Sequence, residues 1–170
     1  VLSVFKWIPF LLMLAVFSYY LVFTAYRVLY QKQLHLGEGV MWYDWAVVIT
    51  AMLFKLYFFV WGIVLLTQGS TTLFAYLAIA FGAGGLWLTW GGLKNFIWKP
   101  KDKHYWFYRH IGNMVGGFIA SVTAFSAQVM YFMPGVLQWL WPSLVGVPLI
   151  IYWIRKYQSK MAAGSKLHEL

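Results

Sequence analysis

Five apolar stretches, each close to the ~20 residues that span the hydrocarbon of a bilayer, set the terms on which this chain can fold. They run from about Val4 to Tyr30, Asp44 to Leu66, Thr71 to Trp90, Phe107 to Phe132 and Gly135 to Trp153. The breaks between them have local causes. Gln31–Gly39 is polar and contains glycine, Gln68–Thr72 is a short polar turn, Lys99–Lys103 is a charged loop around Pro100, and Met133-Pro134-Gly135 interrupts any helix. Pro142 and Pro148 are expected to bend the fifth stretch.

In water, a chain must cover its core with polar groups, and this one has few to offer: 62% of its 170 residues are hydrophobic and 10% are charged. In hydrocarbon the outer surface is apolar as well, and the composition then makes sense. The expectation is an all-α integral membrane protein of about five transmembrane helices. It forms a single domain over residues 1–156, with a short polar tail over 157–170. The first stretch is too long for the apolar core of a cleaved signal peptide and is expected to be a retained helix. The bilayer is the first partner implied.

The charges set an orientation. If the helices alternate, one side carries Arg27, Lys32, Lys94, Lys99, Lys101, Lys103, Arg109, Arg155, Lys156, Lys160 and Lys166, eleven of the 13 basic residues. Only Lys6 falls on the other side. Basic residues near helix ends stay cytoplasmic, which predicts an outside N-terminus and a cytoplasmic C-terminus. The formal charge of +9 is thus used at the membrane surface, and nucleic acid is not an expected partner.

One basic residue breaks the pattern. Lys55 lies midway along the second stretch, where a lysine costs roughly 2.5–3.5 kcal/mol to insert. It marks either an ion or ligand path or a packed interface where the side chain snorkels toward carbonyls or tyrosines such as Tyr57. Asp44 shares its helix face, but eleven residues is about 16 Å by helix rise, too far for a direct pair.

The fourth stretch holds two patterns. Gly112, Gly116, Ala120 and Ala124 recur every four residues, a ladder that lets another helix approach closely. Beside it, His110, Asn113, Gly117, Ser121, Ala124 and Gln128 form a polar, small-residue stripe, which implies a lined path or hydrogen bonds between helices. Arg27, Asp44, Arg109 and Asn113 fall at one interface and predict a charged cluster there. His35 and His110 are candidate haem ligands that could share a depth, although bilayer cytochromes of the four-helix type place theirs inside the segments. The many tryptophans and tyrosines crowd segment ends as interfacial anchors, and they also permit contact with a flat apolar cofactor such as a quinone. The chain has no cysteine, no phosphate-cradling glycine loop and no metalloprotease motif, so no catalytic motif is found and a non-enzymatic role is the expectation.

The run Phe17-Ser18-Tyr19-Tyr20-Leu21-Val22-Phe23-Thr24-Ala25-Tyr26-Arg27-Val28-Leu29-Tyr30, the Asp44-Trp45 step, the segment from Arg109-His110-Ile111-Gly112-Asn113 to Phe125, and Pro148-Leu149-Ile150-Ile151-Tyr152-Trp153 carry a resemblance. They look like the pattern of small uncharacterised bacterial multi-pass proteins common in Bacteroidetes. The resemblance implies residence in a bacterial inner membrane, and its letter pattern also touches groups that have been compared with haem proteins. Three functions follow as expectations. They are an accessory or scaffold subunit that binds other membrane subunits or itself, a haem b or quinone electron carrier, and a small transporter or channel using Lys55 and the fourth-helix stripe.

Overall fold

The structure, a computed structural model, describes residues 9–69, 73–130 and 132–167, with side chains from 11 to 161 within those ranges. Lys6 and His168, and the side chain of Lys166, lie outside them. All regular structure among the described residues is helical. Helix α1 spans Pro9–Arg27 and runs into two single 3-10 turns, Val28–Tyr30 and Leu34–Leu36. Then follow α2 (Trp42–Thr67), α3 (Leu73–Ile97), α4 (Tyr105–Val129) and α5 (Gly135–Leu167). In the first loop, Gly39 has φ 90° and sits where a Cβ would come within 2.8 Å of the Tyr30 carbonyl, so only glycine lets the chain reverse there.

The tightest pairing joins α2 to α3. On α2 the buried positions are Asp44, Val48, Ala51, Lys55, Phe58 and Gly62. On α3 they include Ala75, Ala78, Gly82, Gly85, Thr89 and Gly92. Both sets alternate steps of three and four, the spacing of a shallow-angle helix seam, and the α3 set is built almost entirely from small residues. A Cβ on Gly82 would lie 2.8 Å from the Cα of Phe59, and one on Gly62 would lie 3.0 Å from the Ala75 carbonyl. The backbones touch here, as small residues permit in apolar bundles.

Helix α4 packs between α1 and α5. Gly116 and Gly117 meet Leu21 and Val22 of α1, and Gly112 faces Ile150 and Ile154 of α5. Its far end is tied to α5 by side chains: Ser126 Oγ donates to the Gln138 carbonyl at 2.8 Å, Gln138 Nε2 donates to the carbonyls of Ser126 and Ala127, and Trp141 Nε1 donates to Ser126 Oγ. Helix α1 bridges the two halves through Met13 and Leu14, which pack with Phe58, Leu77, Ala127 and Trp139, and through Tyr20 and Leu21, which pack with Val48 and Ala51. Helices α3 and α5 meet only lightly.

Among the described residues, four helices are long and apolar enough to cross a membrane: Leu11–Tyr30, Trp42–Thr67, Leu73–Ile97 and Gly135–Met161. This is one fewer than the expected five. Helix α4 has the length, but Arg109, His110, Asn113, Ser121, Thr123 and Ser126 dilute its apolar character. The large exposed side chains of the other helices, such as Ile49, Leu53, Leu56, Trp87, Leu144 and Leu149, suit contact with lipid. Two element bounds also differ from expectation. Helix α3 continues to Ile97, and α5 carries Pro142 and Pro148 in its interior and stays helical through Leu167, across most of the expected polar tail.

Three contacts show that the basic loops share one end of the bundle. Lys99 Nζ donates to the Leu36 carbonyl at 2.9 Å, Lys32 lies over the Trp106 ring, and Tyr108 OH reaches Met161 Sδ. The α2–α3 seam is testable by adding single methyl groups. Gly82→Ala, pressed on backbone, should destabilise the detergent-solubilised protein by about 1–3 kcal/mol in thermal unfolding. Gly84→Ala, which meets nothing within 4 Å, should be neutral or stabilising by up to about 1 kcal/mol.

Candidate functional site

The polar residues of the bundle line up beside α1. At the basic end, Arg27 closes α1 and Asp44 opens α2. Arg27 Nε and Nη2 donate to the two Asp44 carboxylate oxygens at 2.7 and 2.8 Å, a two-pronged pair that leaves Asp44 2% exposed. The Met41 amide donates to the same carboxylate, so Asp44 also satisfies an orphan N–H at the start of α2. The Arg27 guanidinium stacks over Tyr43 at 4.6 Å. The expected charged cluster is present in this pair, while Arg109 and Asn113 take other partners.

Lys55 lies deeper and is 3% exposed. Its Nζ donates to Thr89 Oγ1 at 2.6 Å and sits 3.8 Å from the centroid of the Tyr20 ring and 5.0 Å from that of Phe17. Thr89 in turn donates to the Gly85 carbonyl. The Lys55 stem lies on α3 where Gly85 has no side chain: a Cβ there would come within 2.8 Å of Lys55 Cδ. Lys55 therefore snorkels across the α2–α3 seam into an aromatic and hydroxyl cage. Its partners are Thr89 and Tyr20, and Tyr57 is exposed instead. Thr89 and Tyr20 carried no sequence signal, because a threonine and a tyrosine in apolar helices read as ordinary packing.

Arg109 continues the line. Its guanidinium lies over α3 where a Cβ on Gly92 would come within 2.7 Å of both Arg109 Nη2 and Tyr20 OH, and Nη2 is 3.4 Å from that hydroxyl. Among the described residues the carboxylates in ion pairs are Asp44, held by Arg27, and Asp102, beside His104. Arg109 has neither.

Two spaces flank this guanidinium. The first, about 20 Å³, is lined by Tyr20, Arg27, Gln31, Asp44, Gly92, Tyr105 and Arg109 among others and has room for one water-sized group. Gln31 is 4% exposed and its Nε2 has no hydrogen-bond partner among the described residues. The second is a cleft of about 520 Å³ between α3 and α5, floored by α1 and α4, within the range of small-molecule sites. Its walls are Phe81, Leu88, Ile119, Val147, Ile150 and their neighbours, and its polar lining includes Arg109, Asn113, Thr123 and Ser143. It exists because α3 and α5 hardly touch while α2 holds α3 close.

The other expected site residues are distributed as follows. Gly112, Gly116 and Ala120 line the cleft, so much of the four-residue ladder opens a space, and the closest backbone approach falls on α3. Ala124 packs against the core around Phe58 and Leu77. Asn113 Nδ2 donates to Thr24 Oγ1 at 2.8 Å and also borders the cleft. Ser121 bonds back to the Gly117 carbonyl, and Ser121 and Gln128 are exposed, so the polar stripe is divided between interior and surface. His110 Nδ1 bonds the Ala25 carbonyl at 2.8 Å, whereas His35 lies in the second 3-10 turn with a buried, unpartnered Nδ1. The structure does not place either histidine on the cleft. No group of three or more metal-binding side chains occurs among the described residues.

No family model, curated protein or solved structure matches the chain. The site is therefore argued from its own geometry. Replacing Asp44 by Asn leaves the Arg27 charge without its partner and should cost about 3–5 kcal/mol in thermal unfolding. Thr89→Val strips Lys55 of its acceptor and should cost about 1–3 kcal/mol. Lys55→Met should be close to neutral, and the Lys55→Met/Thr89→Val double variant should recover most of the loss.

Proposed function

We propose that this chain is a non-enzymatic membrane protein that holds an apolar, lipid-like ligand in the cleft between α3 and α5. One observation carries this reading: a space of about 520 Å³ with mostly apolar walls and few polar groups, one of them a guanidinium without a carboxylate partner among the described residues. Pockets of that size and lining bury most of a small apolar ligand, and the few polar groups orient it. The role is that of an accessory subunit, which keeps such a ligand in place for another membrane protein. The resemblance noted above supports residence in a bacterial inner membrane.

In this reading α4 is the fifth span. Its 25 residues extend about 37 Å at 1.5 Å per residue. Several of its polar groups are bonded within the protein, as Asn113 is to Thr24 and Ser126 is to Gln138. The shared basic end then lies in the cytoplasm and the N-terminus lies outside. A quinone remains the second reading, because Phe17, Phe81, Trp87 and Tyr108 border the same cleft as donors from Arg109 and Asn113. Haem has less support, since its candidate ligands stand apart from the cleft. A transport path has less too, since Ser121 and Gln128 face outward.

Two experiments test these statements. The chain has no cysteine, so single cysteines at Asp102 and Phe132 report on α4 directly. An impermeant thiol reagent should label Phe132→Cys from outside intact cells and leave Asp102→Cys untouched until the cells are opened; labelling of both from one side would refute the fifth span. For the ligand, native mass spectrometry of gently extracted protein should show a bound lipid-sized molecule. Gly84→Phe, which fills open space at the cleft, should lose it at unchanged thermal stability, and retention by that variant would exclude the cleft.

A further inference from the structure

We infer that the cleft selects a long-chain amphiphile with an anionic head, carboxylate or phosphate, and that Arg109 is the residue that reads the head. The inference rests on the lipid-like ligand proposed above and adds its chemistry.

Three observations converge on it. The first is charge. Lys55 and Arg109 are two cations that both touch Tyr20, Lys55 over its ring face and Arg109 at its hydroxyl. Neither has a carboxylate partner among the described residues, in contrast to Arg27. Lys55 is satisfied by Thr89 and enclosed by aromatic rings, whereas Arg109 borders both the cleft and the small polar space beside it. A guanidinium presents five donors in a fork suited to carboxylate or phosphate. The bond to Tyr20, at 3.4 Å, is long for a hydrogen bond and occupies one of them.

The second is an unpartnered donor. Gln31, 4% exposed, lines the polar space, and its Nε2 has no acceptor among the described residues. Buried donors are nearly always matched, so that space calls for an oxygen acceptor. One water in that space, bonded in turn to an anionic head on Arg109 in the cleft, supplies it.

The third is length and depth. Arg109 stands near the start of α4, at the basic end of the bundle, and the cleft extends along α4 to Thr123. That is about 21 Å by helix rise, the reach of an extended long acyl chain. An amphiphile of the basic-side leaflet thus places its head at Arg109 and its chain along Gly112, Gly116 and Ala120, where the missing side chains make room. The small-residue ladder becomes the track for the chain. Gly92 belongs to the same device, because any side chain there would displace the guanidinium.

The test uses the full chain in phosphatidylcholine nanodiscs with two photoreactive probes of equal length, a diazirine-bearing palmitate and the corresponding hexadecanol. The palmitate probe should label cleft residues such as Val147 and Ile150 at least several-fold more than the alcohol does. Arg109→Gln should reduce that labelling about tenfold and leave the alcohol's unchanged, and Arg109→Lys should fall between. Competition by unlabelled palmitate or by hexadecyl phosphate, and not by hexadecanol, assigns the head as carboxylate or phosphate according to which competes better. Equal labelling of the cleft by both probes, insensitive to Arg109→Gln, would overturn the anionic head while leaving an apolar ligand in place. Absence of cleft labelling by either probe would overturn both. Thermal unfolding of each variant separates loss of binding from loss of fold, and Arg109→Lys keeps the test decisive if Arg109→Gln does not fold.

Discussion

The bundle depends on satisfying polar side chains where water is scarce. Asp44, Lys55, Thr89, Asn113, Thr123 and Ser126 are each at most 4% exposed, and each has a partner in the protein. In hydrocarbon an unmatched polar group costs several kcal/mol, so these pairings decide which helix faces can turn inward. Thr24 and Asn113 hold α1 to α4, Arg27 and Asp44 hold α1 to α2, Lys55 and Thr89 hold α2 to α3, and Ser126 and Gln138 hold α4 to α5. Each principal helix contact contains one such polar link.

The close approach of α2 and α3 has a second effect. Because Gly62, Gly82 and Gly85 draw the two helices together, α3 is held away from α5, and a gap opens between α3 and α5 that α1 and α4 only floor. Lipid-facing clefts of this kind need a reason to stay open. Here the walls are separate helices, each anchored on its other side, and the floor contains the small residues Gly112, Gly116 and Ala120. Arg109, lying over Gly92 at the end of the gap, gives it a polar terminus and hence a direction.

Much of the element plan was legible in the sequence. Apolar runs bounded by glycine, proline and charge gave helices whose ends, leaving aside the expected starts at Val4 and Thr71, which lie outside the described residues, fall within a few residues of expectation, except that α3 and α5 run on where no breaker stops them: Gly91 and Gly92 are tolerated inside a packed helix, and Pro142 and Pro148 are accommodated in α5. Lys55 and Asp44 stood out from sequence because charge in an apolar run is costly, and both are buried. The seam on α3 was not legible as a contact. Its glycines were visible, but which neighbour they face depends on α2 lying beside them, and the regular ladder on α4 gave the stronger pattern. Thr89 gave no signal at all, and Gln31 registered only as the start of a polar break, since a lone polar residue acquires meaning only from the groups around it.

The sequence by itself determined that the chain is helical, that its surface belongs in an apolar solvent, and that most of its basic residues lie in the segments at one end. Hydropathy and charge are sums over local residues and need no knowledge of neighbours. The tertiary structure decided which small residues bring backbones together and which leave a cleft, that Lys55 pairs with Thr89 while Asp44 pairs with Arg27, and that Arg109 is left facing the cleft without a counter-charge among the described residues. Those outcomes depend on distances between helices far apart in the chain, set when every buried polar group must find its partner at once.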